Sequence, residues 1–213
     1  MRAIIFDMDG VIIDSNPPHK IALKQFCLKY GHNLSEDELR TKVYGRTNKD
    51  WLKSVFGELL PEQIAEYGAE KESLYRKIYA PDIAPVAGIV SFIQALHEAK
   101  NPKAIATSAP AENVSFTLKH TKLEGYFSTI LDESFVEIGK PHPDIYLKTA
   151  KALGFEPSNC IVFEDSLAGV QAAKSAGCTV IGISTTHTVE ELRDTSLVIS
   201  HFLDLQMLMN WIK

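Results

Sequence analysis

Six short runs along the chain are apolar almost without a break: Ala3-Ile4-Ile5-Phe6, Ala104-Ile105-Ala106-Thr107, Ser128-Thr129-Ile130-Leu131, Cys160-Ile161-Val162-Phe163, Thr179-Val180-Ile181-Gly182-Ile183 and Leu197-Val198-Ile199. A strand wetted on one face alternates apolar and polar residues, whereas a continuous apolar run must be covered on both faces. Helical patterns separate these runs. Ile89, Phe92, Ile93 and Leu96 recur at helical spacing, Ile145 to Leu153 begins after Pro143 and stops at Gly154, and Ser166 to Ala176 stops at Gly177. Thr188 with Glu191 has the form of a capping box, and Phe202 to Ile212 reads as an amphipathic closing helix. Strand and helix in alternation predict a doubly wound, Rossmann-like α/β core around a parallel sheet.

Residues 17–80 break that rhythm, with no strand-like run among them. Pro17 to Tyr30 is helical up to Gly31, Ser35 with Glu38 opens a second helix, Thr47 caps Asn48 to Phe56, and Pro61 opens a fourth helix toward Tyr79. We expect a helical insert over residues 15–81, the core being residues 1–14 and 82–213. Trp51, Tyr75 and Tyr79 are expected in the core of the insert. On the last helix Ile64, Tyr67, Leu74 and Ile78 form an apolar stripe, and Lys71 falls inside it. A charged head on such a face needs a partner or a path to water.

Composition narrows the function classes. With 22 basic against 27 acidic residues the net charge is −5, so no cationic surface for nucleic acid or an anionic membrane is expected. Cys27, Cys160 and Cys178 show no paired spacing, which predicts buried, reduced thiols rather than a disulfide framework or thiolate zinc site. No stretch is apolar enough for a membrane span, and Asp7 and Asp9 interrupt the apolar start. A cytoplasmic protein, monomeric or weakly dimeric, is expected.

The chemistry-bearing residues fall near the carboxyl ends of the strands, where open α/β sheets bind ligands. Asp7-Met8-Asp9-Gly10 places two carboxylates two residues apart after the first strand, and such a pair repels unless it shares a proton or a hard divalent cation. Thr107 and Ser108 offer hydroxyl and backbone donors to a phosphate oxygen after the second strand. Lys140 stands in Gly139-Lys140-Pro141-His142-Pro143-Asp144, and Glu164-Asp165 ends the fourth strand.

Together Asp7-Met8-Asp9-Gly10-Val11, Thr107, Gly139 to Asp144, and Phe163-Glu164-Asp165-Ser166 with Gly169 resemble the haloacid dehalogenase superfamily, and within it the β-phosphoglucomutase-like phosphatases with a helical cap. The resemblance runs over nearly the whole chain. It implies a Mg2+-dependent phosphatase of small phosphorylated metabolites, with Asp7 as nucleophile, Asp9 as acid and then base, and Thr107 and Lys140 holding the phosphoryl group. Asp7, the Asp9 carbonyl, Asp165 and Glu164, directly or through water, are the implied Mg2+ ligands. His19, at the start of the first cap helix, is the substrate-facing cap residue that similar caps imply, and Lys71 is a second candidate from its place in the apolar stripe, where a bound phosphate or sugar hydroxyl would supply its partner. Mutases of the family carry an arginine after the glycine that matches Gly45; here Asn48 stands there, flanked by Arg46 and Lys49, which favours hydrolysis over the alternative of a sugar phosphomutase. A non-catalytic phospho-acceptor domain, which also uses Asp, Thr and Lys at strand ends, is the third reading; the helical insert and Asp9 count against it.

Overall fold

The computed structural model describes residues 2–43 and 46–213, so Gly45 lies outside the described residues. After strand β1 (Ala3–Phe6) come helices α1 (Asn16–Lys29), α2 (Glu36–Lys42), α3 (Asn48–Phe56) and α4 (Pro61–Tyr79). Then follow α5 (Ile89–Glu98), β2 (Lys103–Ala106), α6 (Ala111–Thr121), β3 (Thr129–Leu131), α7 (Asp144–Leu153), β4 (Cys160–Glu164), α8 (Leu167–Ala176), β5 (Thr179–Ile183), β6 (Leu197–Ile199) and α9 (Leu205–Trp211). The chain divides into two compact units, residues 1–14 with 84–213, and residues 15–83.

In the larger unit all six strands are parallel, in the order β3-β2-β1-β4-β5-β6. Successive side chains on a strand point to opposite faces, and both faces of β1 and β4 are buried. Phe6 pairs in register with Phe163 and stacks on it at 5.2 Å, and Phe92 of α5 and Phe202 complete an aromatic layer. On the opposite face Ala3, Ile5, Cys160 and Val162 pack with Ile145, Tyr146 and Ala150 of α7 and Val170 and Ala173 of α8. This two-sided cover is the reason the strands read as unbroken apolar runs, and it confirms the doubly wound core.

The helical unit has its own core, built from Leu23, Phe26, Cys27, Leu39, Val43, Trp51 and Leu52. Ser35 and Glu38 form the expected capping box and Thr47 accepts from the Asp50 amide. Trp51, Tyr75 and Tyr79 are buried, and all three cysteines are free and buried. Among the described residues no helix is long and apolar enough to cross a membrane.

Two local expectations are corrected. Thr188 and Glu191 exchange their capping bonds, yet turns rather than an α-helix follow. The chain must rejoin the sheet at once, where the Ser196 amide donates to Val180 O at 2.8 Å. The closing helix is shorter than the apolar pattern suggested, because Phe202 N donates to Ala87 O at 2.7 Å and Asp204 caps the helix through the Met207 amide.

Phe92 is fully buried at the centre of the aromatic layer. Phe92→Ala should cost about 3–5 kcal/mol and lower Tm by roughly 6–20 °C. A melting curve within 2 °C of the parent would show that the layer is not holding the larger unit together.

Candidate active site

The strand order reverses at β1, which lies between β2 and β4, so the crevice beyond the carboxyl ends of these strands is the switch point where open parallel sheets take ligands. Asp7 leaves β1 with its amide still donating to Phe163 O of β4 at 3.0 Å. Glu164 is the last residue of β4 and Asp165 the next. Thr107 leaves β2, its amide donating to Leu131 O at 3.0 Å. Lys140 comes from the connection between β3 and α7, beyond rather than at a strand end.

The ammonium of Lys140 joins two of these strand ends. Its Nζ donates to Asp7 Oδ1 at 2.7 Å and to Glu164 Oε1 at 2.6 Å, and its side chain is only 5% exposed. It lies 5.1 Å from the ring centre of Tyr146, whose hydroxyl donates to the same Glu164 oxygen at 2.7 Å. The other oxygen of Glu164 accepts from the Asp165 amide, the Ser166 amide and the Ser166 hydroxyl, at 2.9–3.0 Å. Glu164 is thereby held by five donors, whereas Asp165 Oδ2 accepts from the hydroxyl of Thr186.

Carboxylate oxygens of Asp7, Glu164 and Asp165 lie within 4.8 Å of one another, and all three residues are buried. Three carboxylates against one lysine leave an excess of negative charge out of water, which is costly unless a proton or a cation enters. Burial, with Glu164 and Asp9 adding to it and Lys140 opposing it, raises Asp7 to about 7. Burial and the neighbours Glu164 and Asp7 push Asp165 well up from its ordinary value. Burial opposes ionisation of Glu164 as well, but Lys140 and the surrounding donors bring its pKa below the ordinary value. Hard oxygen donors in this number and charge suit a divalent hard cation.

Two glycines make the cluster possible. Gly10 turns the chain after the two aspartates with φ +76°, and a Cβ there would overlap the Asp165 carboxylate. A Cβ on Gly169 would overlap the carboxylate of Glu164.

Asp7, Lys140, Glu164 and Asp165 are therefore brought together. Asp9 is half-buried beside them in the turn, with Gly10 N donating to Ile13 O at 2.8 Å. Thr107 is buried and its hydroxyl accepts from the Ala109 amide at 3.1 Å; Ser108 is half-buried next to it. Within the helical unit, Lys71 does find a partner, the buried Glu72 that follows it. Glu72 also accepts from Asn48 Nδ2 at 3.0 Å, and Asn48 Oδ1 accepts from Trp51 Nε1 at 2.9 Å. His19 stacks flat on Tyr75 at 3.6 Å, and Arg46 is exposed. Sequence reasoning missed Tyr146, Glu72, Thr185 and Thr186. A tyrosine on the buried stripe of α7 was a usable signal, because a buried phenol needs a hydrogen-bond partner; two threonines in a loop give none.

The raised pKa of Asp7 sets a sign. The folded, metal-free protein keeps a proton on Asp7 that the unfolded chain gives up near pH 4. This group therefore supports folding at low pH, and its contribution falls as pH rises from about 4 through about 7. In chelator, Asp7→Asn should gain Tm relative to the parent across that window. A parent–variant difference that stays constant from pH 4 to pH 8 would contradict the assignment.

The chain matches the haloacid dehalogenase-like hydrolase family over residues 4–183. It is 30% identical to a phosphorylated carbohydrates phosphatase of Thermotoga maritima, over 83% of this chain and 82% of that protein. A HAD hydrolase of family IA, variant 3, from Entamoeba histolytica superposes with TM-score 0.88 at 37% identity, covering 100% of this chain and 99% of the other. A β-phosphoglucomutase from Clostridium difficile superposes with TM-score 0.85 at 25% identity, covering 100% and 97%. With the lysine–carboxylate cluster at the switch point of the sheet, this match over most of the chain makes the protein a member of the haloacid dehalogenase-like hydrolases.

Proposed function

We propose that the protein is a Mg2+-dependent phosphatase that hydrolyses phosphate monoesters of small metabolites, sugar phosphates above all. The observation that carries this reading is the bond from Lys140 Nζ to Asp7 Oδ1, 2.7 Å, beside the buried carboxylate of Asp165. It joins a carboxylate nucleophile, a cation for the phosphoryl oxygens and an acidic metal site. The Thermotoga maritima relative, named for phosphorylated carbohydrates, supports the substrate class.

In this reading Asp7 attacks phosphorus: an Asp7 O–P bond forms, the P–O ester bond breaks, and the leaving oxygen takes the proton of Asp9. Asp9 then accepts a proton from water as that water attacks phosphorus, so inorganic phosphate leaves and Asp7 is regenerated. Lys140 neutralises charge on the equatorial oxygens, and Thr107 with Ser108 donates to them. Asp7, Asp165 and the Asp9 carbonyl would hold Mg2+, with Glu164 alongside; the ion supplies positive charge to Asp7 and the phosphoryl oxygens. In the helical unit Lys71, with His19, Arg46 and Asn48, is proposed to meet the rest of the substrate. Free, buried thiols support a reducing compartment such as the cytoplasm.

The mutase reading draws on the β-phosphoglucomutase likeness. Against it, the position of the mutase arginine is filled by Asn48, whose side chain is bonded to Glu72 and Trp51. Given β-glucose 1-phosphate with a trace of the 1,6-bisphosphate, the protein should release free phosphate; rapid glucose 6-phosphate with little free phosphate would establish the mutase. Absence of both phosphate release from any monoester, aryl phosphate included, and glucose 6-phosphate formation would remove both readings and leave a phospho-acceptor domain.

Asp7→Asn should abolish phosphate release in a folded protein. Asp9→Asn should slow turnover about 10²–10⁴-fold, the range of proton transfer by a placed carboxyl group, with Mg2+ affinity much less affected. Parallel loss of metal binding and turnover in Asp9→Asn would refute its acid–base role. Lys71→Ala should raise KM for sugar phosphates more than for a small aryl phosphate; equal effects would remove it from the substrate site.

A further inference from the structure

The loop after β5 reaches both acidic segments of the site. Ser184 N donates to Ile199 O at 2.9 Å, which fixes the start of this loop to the sheet. The hydroxyl of Thr185 then donates to the carbonyl of Gly10 at 2.6 Å, in the turn that follows Asp7 and Asp9. The hydroxyl of Thr186 donates to Asp165 Oδ2, in the segment that follows β4. Two adjacent hydroxyls thus tie together the two chain segments whose carboxylates face each other.

From this we propose that Thr186 is a positioning residue for the metal-binding carboxylate of Asp165, with Thr185 holding the Asp7–Gly10 turn opposite it; the proposal rests on the Mg2+ reading above. The chemistry favours a hydroxyl here. Lys140 is committed to Asp7 and Glu164. A second ammonium on Asp165 would cancel the charge a divalent ion needs, and a neutral hydroxyl does not. A hydrogen bond on Oδ2 fixes the rotation of the carboxylate, which offers an oxygen within 4.8 Å of carboxylate oxygens of Asp7 and Glu164. The β-branched side chain, stiff at χ1, suits that task. Partners that orient a metal ligand from behind typically carry 10–100-fold in affinity.

The test is a Mg2+ titration of the purified full chain by calorimetry. Thr186→Val and Thr186→Ala remove the hydroxyl, and Thr186→Ser keeps it. Circular dichroism and melting in chelator check folding, and the smaller alanine variant carries the test should valine not fit. We expect the Mg2+ Kd to rise about 10–100-fold without the hydroxyl and to stay within about threefold of the parent in Thr186→Ser. Folded Thr186→Val or Thr186→Ala protein that binds Mg2+ as the parent does would overturn the positioning role alone. Equal weakening in Thr186→Ser would overturn it too, since the hydroxyl would not be the cause. A parent that binds no Mg2+ would overturn the metal reading and this proposal with it.

Discussion

Among the described residues Lys140 is the one cation within hydrogen-bond reach of both Asp7 and Glu164, and the buried carboxylates of the larger unit are arranged around it. A buried ammonium between two carboxylates is stable only if every remaining donor and acceptor is also met. Tyr146, Ser166 and two backbone amides complete Glu164. Burial alone would depress the lysine, but Asp7 and Glu164 more than offset it and hold its pKa well above the ordinary value. Glu164 is thereby fixed as a structural anion, while Asp7 and Asp165 keep the unmet demand for positive charge. That division sets a carboxylate saturated with donors apart from two that a proton or a cation can still join.

The parallel sheet supplies the precision. Asp7, Thr107 and Glu164 are each placed by a strand or by the first ladder bond beyond one, so their spacing inherits the strand separation. Lys140 and Thr186 arrive on loops and are fixed by the side-chain bonds they make. Sites built this way gain reach from loops and rigidity from strands. Gly10 and Gly169 matter for the same reason: each lets a carboxylate come closer to the backbone than any side chain would allow.

Much of the site was legible because its residues stand in short, ordered motifs. The acid pair at Asp7 and Asp9, the Lys140 segment and the Glu164–Asp165 pair could each be found from residue type and place in the strand–helix rhythm. Thr186 could not, since threonine in a loop has no distinguishing pattern and its role depends on which carboxylate its hydroxyl meets. Glu72 illustrates the opposite difficulty. Lys71 was visibly out of place on an apolar stripe, yet its partner was the very next residue, which helical geometry would ordinarily point elsewhere. The capping box at Thr188 was read correctly as a set of hydrogen bonds and wrongly as a helix, because the pull of β6 back into the sheet is tertiary.

The sequence by itself determined the parallel sheet, its two covered faces and the helical block after β1, because burial on both sides demands unbroken apolar strands and a change of period marks a change of element. It also determined which residue types meet at the strand ends. Only the tertiary structure decided how charge is shared among them. Whether a carboxylate is saturated like Glu164 or left short of positive charge like Asp165 depends on donors drawn from α7, the β4 turn and the loop after β5. Those segments are far apart in the chain, and no local pattern records their meeting.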